Sequence, residues 1–96
     1  MAEVRVIARA VAREGKSEEL KALFHGLLKP TRAEAGCKFY EVFESNQPGL
    51  FYFNELWESH AHLDAHVASS HFIEIFGKSK ALVTGPLEVN LLKSIG

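Results

Sequence analysis

The feature that most constrains the fold is a pair of alternating segments joined by a short turn. From Cys37 to Ser45 and from Leu50 to Glu58, side chains alternate with the two-residue period of a β-strand. The residues between them, Asn46-Gln47-Pro48-Gly49, favour a turn because proline presets its own φ and glycine accepts a positive φ. We therefore predict a β-hairpin with about nine residues a side.

Neither face of this hairpin is plainly a solvent face, since each carries large apolar side chains. The first strand is expected to present Cys37, Phe39 and Phe43 on one face and Tyr40 and Val42 on the other. The second strand divides into Leu50, Tyr52, Asn54 and Leu56 against Phe51, Phe53, Glu55 and Trp57.

A strand and a helix precede the hairpin. Val4 to Arg13 alternates, with small apolar residues on one face, and predicts a strand. Ser17 is expected to cap a helix, and Pro30 is expected to kink or restart it because proline removes a backbone donor. The apolar stripe of this helix consists of Leu20, Leu23, Phe24, Leu27 and Leu28.

The chain after the hairpin predicts two short helices and a final strand. Ser59 is a suitable N-cap for a helix over residues 60–67, and Ser69 or Ser70 for a second helix that ends near Leu82. The stretch from 87 to 95 reads as a strand after Gly85-Pro86. The order is β-α-β-β-α-β, which predicts one α+β domain over residues 1–96, with an antiparallel sheet in the ferredoxin-like arrangement.

The two faces of this sheet predict a homodimer. Both helical regions must cover one face in order to bury their apolar stripes. The other face still carries apolar side chains, such as Phe51, Phe53 and Trp57 or their alternates, and a monomer rarely exposes so much apolar area. We expect two copies of the chain to pack sheet against sheet.

Composition excludes several partners. A formal net charge of -1 with 24% charged residues provides no basic excess for nucleic acid. No stretch approaches the roughly 20 apolar residues that span a bilayer, and the first residues lack the apolar segment of a signal peptide. The single cysteine, Cys37, cannot form an internal disulfide, which favours a reducing compartment. We expect a cytoplasmic protein that binds neither nucleic acid nor membrane.

Three short motifs resemble one known family, the antibiotic biosynthesis monooxygenase domains. Glu55-Leu-Trp57 and Ala65-His66-Val-Ala-Ser-Ser70-His71-Phe72 are similar to its Glu-x-Trp and Ala-His-x-x-Ser-x-His-Phe patterns. Glu34-Ala-Gly36-Cys37 resembles its Glu-Pro-Gly-Cys at the start of the second strand, with Ala35 in place of proline. The resemblance covers almost the whole chain.

This resemblance implies a dimeric α/β barrel in which each subunit holds a pocket between its sheet and its helices. Members of the family include cofactor-independent oxygenases of quinols, heme-degrading monooxygenases, an isomerase of the phosphorylated autoinducer-2 signal, and proteins without known activity. The heme branch is disfavoured, because its pocket tryptophan, iron-ligating histidine and essential asparagine fall on His66, Phe76 and Ala8. No cofactor is expected.

Three residues are the candidate catalytic groups. Glu55 and Trp57 share a sheet face, and a carboxylate beside an indole can be desolvated enough to act as a general base. The alternative is a glutamate that anchors a backbone amide or pairs with an arginine. His66 can take a proton from a quinol or an α-hydroxy ketone near neutral pH, or can instead fix the bend between the last two helices.

Six further residues are candidates for substrate binding, although each also suits packing or local capping. They are Tyr40, Tyr52, Asn54, His71, Phe72 and Phe76.

Two other patterns are weaker signals of a ligand. His62 and His66 have the i, i+4 spacing of a zinc site, but a zinc site needs a third ligand and no His-Glu-x-x-His context is present, so no metal is expected. The arginines at 5, 9 and 13 form a stripe that suits an anionic ligand, a partner's carboxylates or solvent.

These observations support three functional hypotheses. The first is a cofactor-independent monooxygenase that acts on a quinol or another electron-rich aromatic substrate. The second is an autoinducer-2-type isomerase, in which an acid and a base move a proton between a ketone and its neighbouring hydroxyl. The third is a non-catalytic dimeric module that binds a small aromatic or carbonyl compound.

Overall fold

The computed structural model describes residues 2–96, which form a four-stranded antiparallel sheet with helices on one face. The strands are β1 (Val4–Val11), β2 (Cys37–Glu44), β3 (Leu50–Trp57) and β4 (Glu88–Leu92). The helices are α1 (Ser17–His25), α2 (Leu28–Arg32), α3 (His60–Val67) and α4 (Ser70–Ser79). The spatial order β2-β3-β1-β4 confirms the predicted ferredoxin-like α+β fold, with a split helix at each helical position.

The core lies between the helices and the inner face of the two central strands. Small side chains on β1 face aromatic ones on β3, with Ala8 opposite Phe53 and Ala10 opposite Phe51. Phe24 of α1 meets both rings edge-on, at centroid distances of 4.8 Å to Phe53 and 5.7 Å to Phe51. Such edge-to-face pairs add about 0.5–1.5 kcal/mol each beyond the area that they bury.

The first helical region departs from the sequence prediction at its start. Lys16, not Ser17, is the N-cap of α1, and its side chain makes no capping hydrogen bond, so the prediction of a Ser17 cap was wrong. The restart predicted near Pro30 is present. Pro30 lies in the first turn of α2, where its missing N–H costs no intrahelical hydrogen bond.

A β-bulge at the start of β2 reverses the predicted face of one residue. Cys37 pairs with Trp57, whereas Phe39 pairs with Leu56, so Lys38 is an extra residue. An inserted residue inverts a two-residue alternation. Cys37 therefore lies on the inner face, partly buried against the core, and the prediction that it shares a face with Phe39 was wrong.

The helices that follow the hairpin begin where the serines predict. Ser59 accepts a hydrogen bond from the His62 N–H and Ser69 accepts one from the Phe72 N–H. The second of these helices ends at Ser79, before the predicted Leu82, because the next residues turn back to β1. None of the helices in the described part of the chain is long and apolar enough to cross a membrane.

The outer face of the sheet carries a different set of apolar side chains from Phe51, Phe53 and Trp57. Phe51, Phe53 and Trp57 are buried on the inner face. The outer face instead presents Phe39 and Phe43, which are 41% and 45% exposed. Tyr52 of β3 and Leu92 of β4 are also exposed there. The expectation that apolar side chains occupy the face without helices is met by these residues.

Gly36, just before β2, provides a test of this packing. Its φ is +80°, and a Cβ added there would overlap the imidazole ring of His62. We expect Gly36→Ala to lower the free energy of unfolding by 2 kcal/mol or more, of which about 1–2 kcal/mol comes from left-handed backbone alone. Urea denaturation measures the change.

The matched control for this change is Gly77→Ala in α4. Gly77 has no neighbour within 4 Å of an added Cβ, and alanine is favoured over glycine in a helix by about 0.5–1 kcal/mol. This control is expected to be neutral or stabilising. Equal effects of the two substitutions would contradict the packing described for Gly36.

Candidate active site

The centre of the candidate site is one carboxylate shared by two histidines. Glu34 Oε2 lies 2.7 Å from His66 Nδ1 and 2.7 Å from His71 Nε2. Glu34 precedes β2, whereas the histidines lie on α3 and α4, so the contact joins three separate elements. The His66 side chain is 2% exposed, and those of Glu34 and His71 are 15% and 21% exposed.

The shared carboxylate assigns the tautomer of the buried histidine. A carboxylate only accepts hydrogen bonds, so His66 Nδ1 and His71 Nε2 donate to Glu34. This leaves Nε2 of His66 unprotonated in the neutral ring. Ser69 links the two histidines, because its hydroxyl donates to the His66 carbonyl at 2.6 Å and lies 3.2 Å from His71 Nε2.

The surroundings of His66 keep its ring neutral near pH 7. Burial lowers the pKa of His66, and the hydrogen bond to Glu34 opposes this effect. The ring packs against Trp57 at a centroid distance of 4.6 Å and against Phe72 at 5.1 Å. A neutral imidazole with one free nitrogen and a carboxylate behind it is the arrangement of a general base.

A second acid-base group lies on β3. Burial raises the pKa of Glu55 to about 7, although the Trp57 indole N–H donates to its Oε1 at 2.9 Å and favours the ionised form. Among residues 2–96, Glu55 forms no ion pair with an arginine: Arg5 donates to Asn54 at 2.7 Å and Arg32 donates to the Tyr40 carbonyl at 2.9 Å. Glu55 therefore exchanges a proton near neutral pH.

Two buried hydroxyls near these groups interact with each other but form no hydrogen bond of normal geometry among the described residues. They belong to Tyr40, which pairs with Glu55 across the sheet, and to Thr31 at the end of α2. Burial raises the pKa of Tyr40, and the contact with Thr31 opposes this only weakly, so the Tyr40 hydroxyl stays protonated. The Tyr40 ring lies 5.6 Å from that of His66. A buried hydroxyl whose one contact is weak can also donate a hydrogen bond to a water or a substrate.

Beside this cluster is a cavity of about 490 Å³ between α4, β1 and residues 79–87. Its walls are mainly apolar, with Phe24, Phe72 and Phe76 contributing rings. Phe72 also contacts His66, so its ring separates the cavity from the histidine. The volume is in the usual range for small-molecule sites, about 300–1,000 Å³.

The structure brings most of the candidate residues to this side of the sheet. The buried cluster contains His66 and His71, and around it lie Tyr40, Glu55, Trp57 and Phe72. Phe76 lines the cavity. Tyr52 and Asn54 do not join them. They alternate with Glu55 on β3 and so lie on the outer face, where Asn54 binds Arg5.

Glu34 is a candidate site residue that the sequence patterns do not identify by themselves. It belongs to the Glu-Ala-Gly-Cys motif, which carries no chemical role for it. It lies 32 residues before His66, and no periodicity connects a loop carboxylate to a helix that distant. The motif itself was the available signal.

Glu34, His66 and His71 also offer three donor atoms that could hold a metal ion. Their ligand atoms lie within 4.8 Å of one another, and two imidazoles with one carboxylate suit several divalent ions. His62, the partner considered from the sequence, is not part of this set, because its Nδ1 lies 2.8 Å from the Ser59 hydroxyl. The distances of 2.7 Å to Glu34 match hydrogen bonds.

The raised pKa of Glu55 predicts how its substitution depends on pH. The pKa of Glu55 is about 7 in the folded protein and near 4.5 in the unfolded chain. The free energy of unfolding therefore falls as pH rises between those values, because the unfolded chain loses this proton more readily. Glu55→Gln keeps the acceptor for Trp57 and removes this cost. We expect it to stabilise the protein relative to wild type above pH 7, by an amount on the order of 3 kcal/mol, and to have little effect below about pH 4.5.

Urea unfolding near pH 8 and near pH 4.5 measures this difference. Glu74→Gln, on the exposed side of α4, is the control and should change little at either pH. A Glu55→Gln variant that is destabilised equally at both pH values would contradict the assignment.

Comparison with known proteins places the chain among relatives over nearly its full length. The Mycobacterium tuberculosis protein "Putative monooxygenase Rv0793" is 36% identical over 93% of this chain and 88% of its own length. Its solved structure matches with a TM-score of 0.93 and covers 99% of this chain and 97% of that one. "Putative monooxygenase YcnE" from Bacillus subtilis is 32% identical over 77% of this chain and 79% of its own.

A third relative is known from its structure. PA3566 from Pseudomonas aeruginosa matches with a TM-score of 0.92 at 29% identity, and the match covers 100% of this chain and 97% of that one. The family model described as antibiotic biosynthesis monooxygenase matches residues 3–78. The chain therefore belongs to the antibiotic biosynthesis monooxygenase family.

Proposed function

We propose that this protein is a cofactor-independent monooxygenase that oxidises a quinol or another electron-rich phenol. The observation that carries this proposal is the buried pair of Glu34 and His66, joined at 2.7 Å beside an aromatic cavity of about 490 Å³. Such a reaction requires one base, an apolar site and a few hydrogen-bond donors, and the inner face of the sheet offers all three.

In the proposed reaction, His66 removes a phenolic proton through Nε2. The resulting imidazolium is stabilised by the Glu34 carboxylate, as in other acid-base pairs with a carboxylate behind the imidazole. The electron-rich phenolate then transfers one electron to O₂, and the two radicals combine at a ring carbon to form a peroxide. Loss of water from the peroxide leaves the oxidised ring.

The overall reaction balances without an external reductant. A dihydroxynaphthalene gains one oxygen atom from O₂ and loses two hydrogens, which leave with the second oxygen atom as water. The product is a hydroxynaphthoquinone. The substrate supplies all four electrons that O₂ accepts, including the two that other monooxygenases take from an external reductant. The protein therefore has only to move protons and stabilise the anion.

Glu55 and Tyr40 suit the second half of this reaction. Glu55, with a pKa of about 7, can return a proton to the departing peroxide oxygen. The buried Tyr40 hydroxyl, which stays protonated, can donate to a developing oxyanion. For the phenolic hydroxyl to reach His66, the Phe72 side chain has to rotate out of its contact with the imidazole. Catalytic contacts often tighten only in the complex.

The same groups support a second candidate, the isomerisation of an α-hydroxy ketone. The observation that favours it is the presence of an acid and a base on the same side of the sheet: burial raises the pKa of Glu55 to about 7 and lowers the pKa of His66, so Glu55 can hold a proton while His66 is neutral. One group removes a proton from the hydroxyl-bearing carbon and the other protonates the neighbouring position. Turnover in the strict absence of O₂ distinguishes this reaction from oxygenation.

We further propose that the active form is a cytoplasmic homodimer joined through the outer face of the sheet. The exposed Phe39, Phe43, Tyr52 and Leu92 make this face apolar, and a second copy can cover it with the same residues. The single Cys37 suits a reducing compartment.

The dimer proposal predicts that a charge on the outer face separates the subunits. We expect wild type to show twice the mass of one chain by size exclusion with light scattering at micromolar concentration, and Phe43→Glu to elute as a monomer. Ile73→Glu is the control, because Ile73 is 61% exposed but lies on α4, on the other side of the sheet. A monomeric wild type would refute the proposal.

The monooxygenase proposal predicts oxygen uptake that depends on His66. With 1,4-dihydroxynaphthalene and related quinols in an oxygen electrode, His66→Ala should reduce kcat by about 10²–10⁴-fold, the usual contribution of a general base. His60→Ala is the control, since His60 is an exposed histidine on the same helix. The rate without protein is subtracted, because quinols also react with O₂ unaided.

Glu34→Gln should shift the pH profile as well as lower the rate. Loss of the carboxylate removes the stabilisation of protonated His66, so its pKa falls and the acidic limb of the kcat profile moves to lower pH. Activity should survive treatment with a chelator. Wild-type protein that consumes no oxygen over the quinol panel, or a His66→Ala variant with the wild-type rate, would overturn the proposal.

A further inference from the structure

The cavity beside the active site carries charge of one sign only. Its charged side chains are Arg13, at the end of β1, and Lys80, at the end of α4. Both are exposed, which places them at the rim, and no carboxylate contributes to the lining. Among residues 2–96, neither cation lies within 4.0 Å of a carboxylate.

This absence of partners distinguishes the two residues from cations close to them in the chain. Lys16 lies 3.9 Å from Glu19, and Lys78 lies 3.1 Å from Glu74. Arg9, on the outer face, lies 3.3 Å from Glu88. Arg13 and Lys80 therefore remain open to a ligand that brings its own negative charge.

Backbone contacts hold the rim in place. The Arg13 N–H donates to the Leu82 carbonyl at 2.8 Å, and the Thr84 N–H donates to the Val11 carbonyl at 2.9 Å. Ala12 and Val83 form an antiparallel bridge between these two contacts. The segment that follows α4 is thus attached to the end of β1, which fixes the backbone positions from which Arg13 and Lys80 extend.

The rest of the cavity suits a flat aromatic body. Phe72 and Phe76 pack against each other at 4.5 Å, and Phe24 lies 5.8 Å from Phe76. Within β1 (Val4–Val11), Ala10 is the one residue that lines the cavity, and its small side chain leaves room for a ring between the sheet and α4. Aromatic walls favour stacked or edge-on contact with another ring.

From these observations we propose that the cavity binds an aromatic carboxylate, with the carboxylate at Arg13 and Lys80 and the ring against Phe72 and Phe76. Arginine matches the two oxygens of a carboxylate with paired donors. This orientation directs the far edge of the ring toward Phe72 and, behind it, His66. The inference rests on the proposed function in treating this cavity as the substrate site, and it narrows the substrate to phenols that carry an acidic group.

Binding of 2-naphthoate and 2-naphthamide tests the inference without any reaction. The two probes share a ring system and differ in charge. We expect isothermal titration calorimetry at low salt to show naphthoate binding about tenfold more tightly than the amide, which corresponds to about 1.4 kcal/mol. The preference should shrink as salt is added, because the rim cations are exposed.

The double variant R13Q/K80Q should bind naphthoate no better than the amide, with a larger loss for naphthoate than for the amide. The control K16Q/K78Q removes the same charge at positions close to Arg13 and Lys80 in the chain but leaves the rim intact, and it should keep the preference. The single variants R13Q and K80Q should show intermediate losses. Equal loss in K16Q/K78Q would overturn the inference, since it would show that only the general charge of the protein matters.

Two further outcomes separate this inference from the proposed function. Equal affinity of wild type for the two probes, or binding of neither, would overturn the inference while leaving oxygenation of neutral quinols open. Tight, charge-dependent naphthoate binding by a protein that consumes no oxygen with any quinol would support this inference and refute the proposed monooxygenase.

Discussion

The hydrogen-bonded carboxylate of Glu34 is the interaction on which the rest of this site depends. A single oxygen accepts from His66 and His71, which connects the loop before β2 to both helices that follow the hairpin. A buried polar group without a partner costs about 1–3 kcal/mol, so the three residues are stable there only together. Their mutual satisfaction sets the tautomer of His66 and positions α4, whose phenylalanines form one wall of the cavity.

The small side chains of β1 create the space that the site occupies. Ala8 and Ala10 lie on the inner face opposite two phenylalanines of β3, and the rings of Phe24, Phe51 and Phe53 fill most of the volume that the alanines leave. Toward the end of β1 this filling stops, and the cavity begins beside Ala10. The core and the cavity are therefore continuous on one face of the sheet, and Phe72 lies between the cavity and His66.

Much of the fold was predictable because the patterns that specify it are local. Alternation located the strands, and the serines at 59 and 69 marked the start of two helices. The errors arose where a neighbour outside the local pattern decided the outcome. The bulge at Lys38 turned Cys37 inward to face Trp57, and pairing with β1 drew the chain away from α4 before Leu82. Neither event leaves a periodic signal.

The candidate site shows the same contrast between local sequence patterns and contacts of distant residues. The sequence by itself determined that Glu55 and Trp57 share a strand face and that His66 and His71 lie near that sheet, since two-residue spacing and helix caps are local properties. Only the tertiary structure decided that Glu34 is the partner of both histidines, which face of the sheet the helices cover, and that Arg13 and Lys80 lie at one cavity. These relations join residues distant in the chain, and packing, not spacing, brings such residues together.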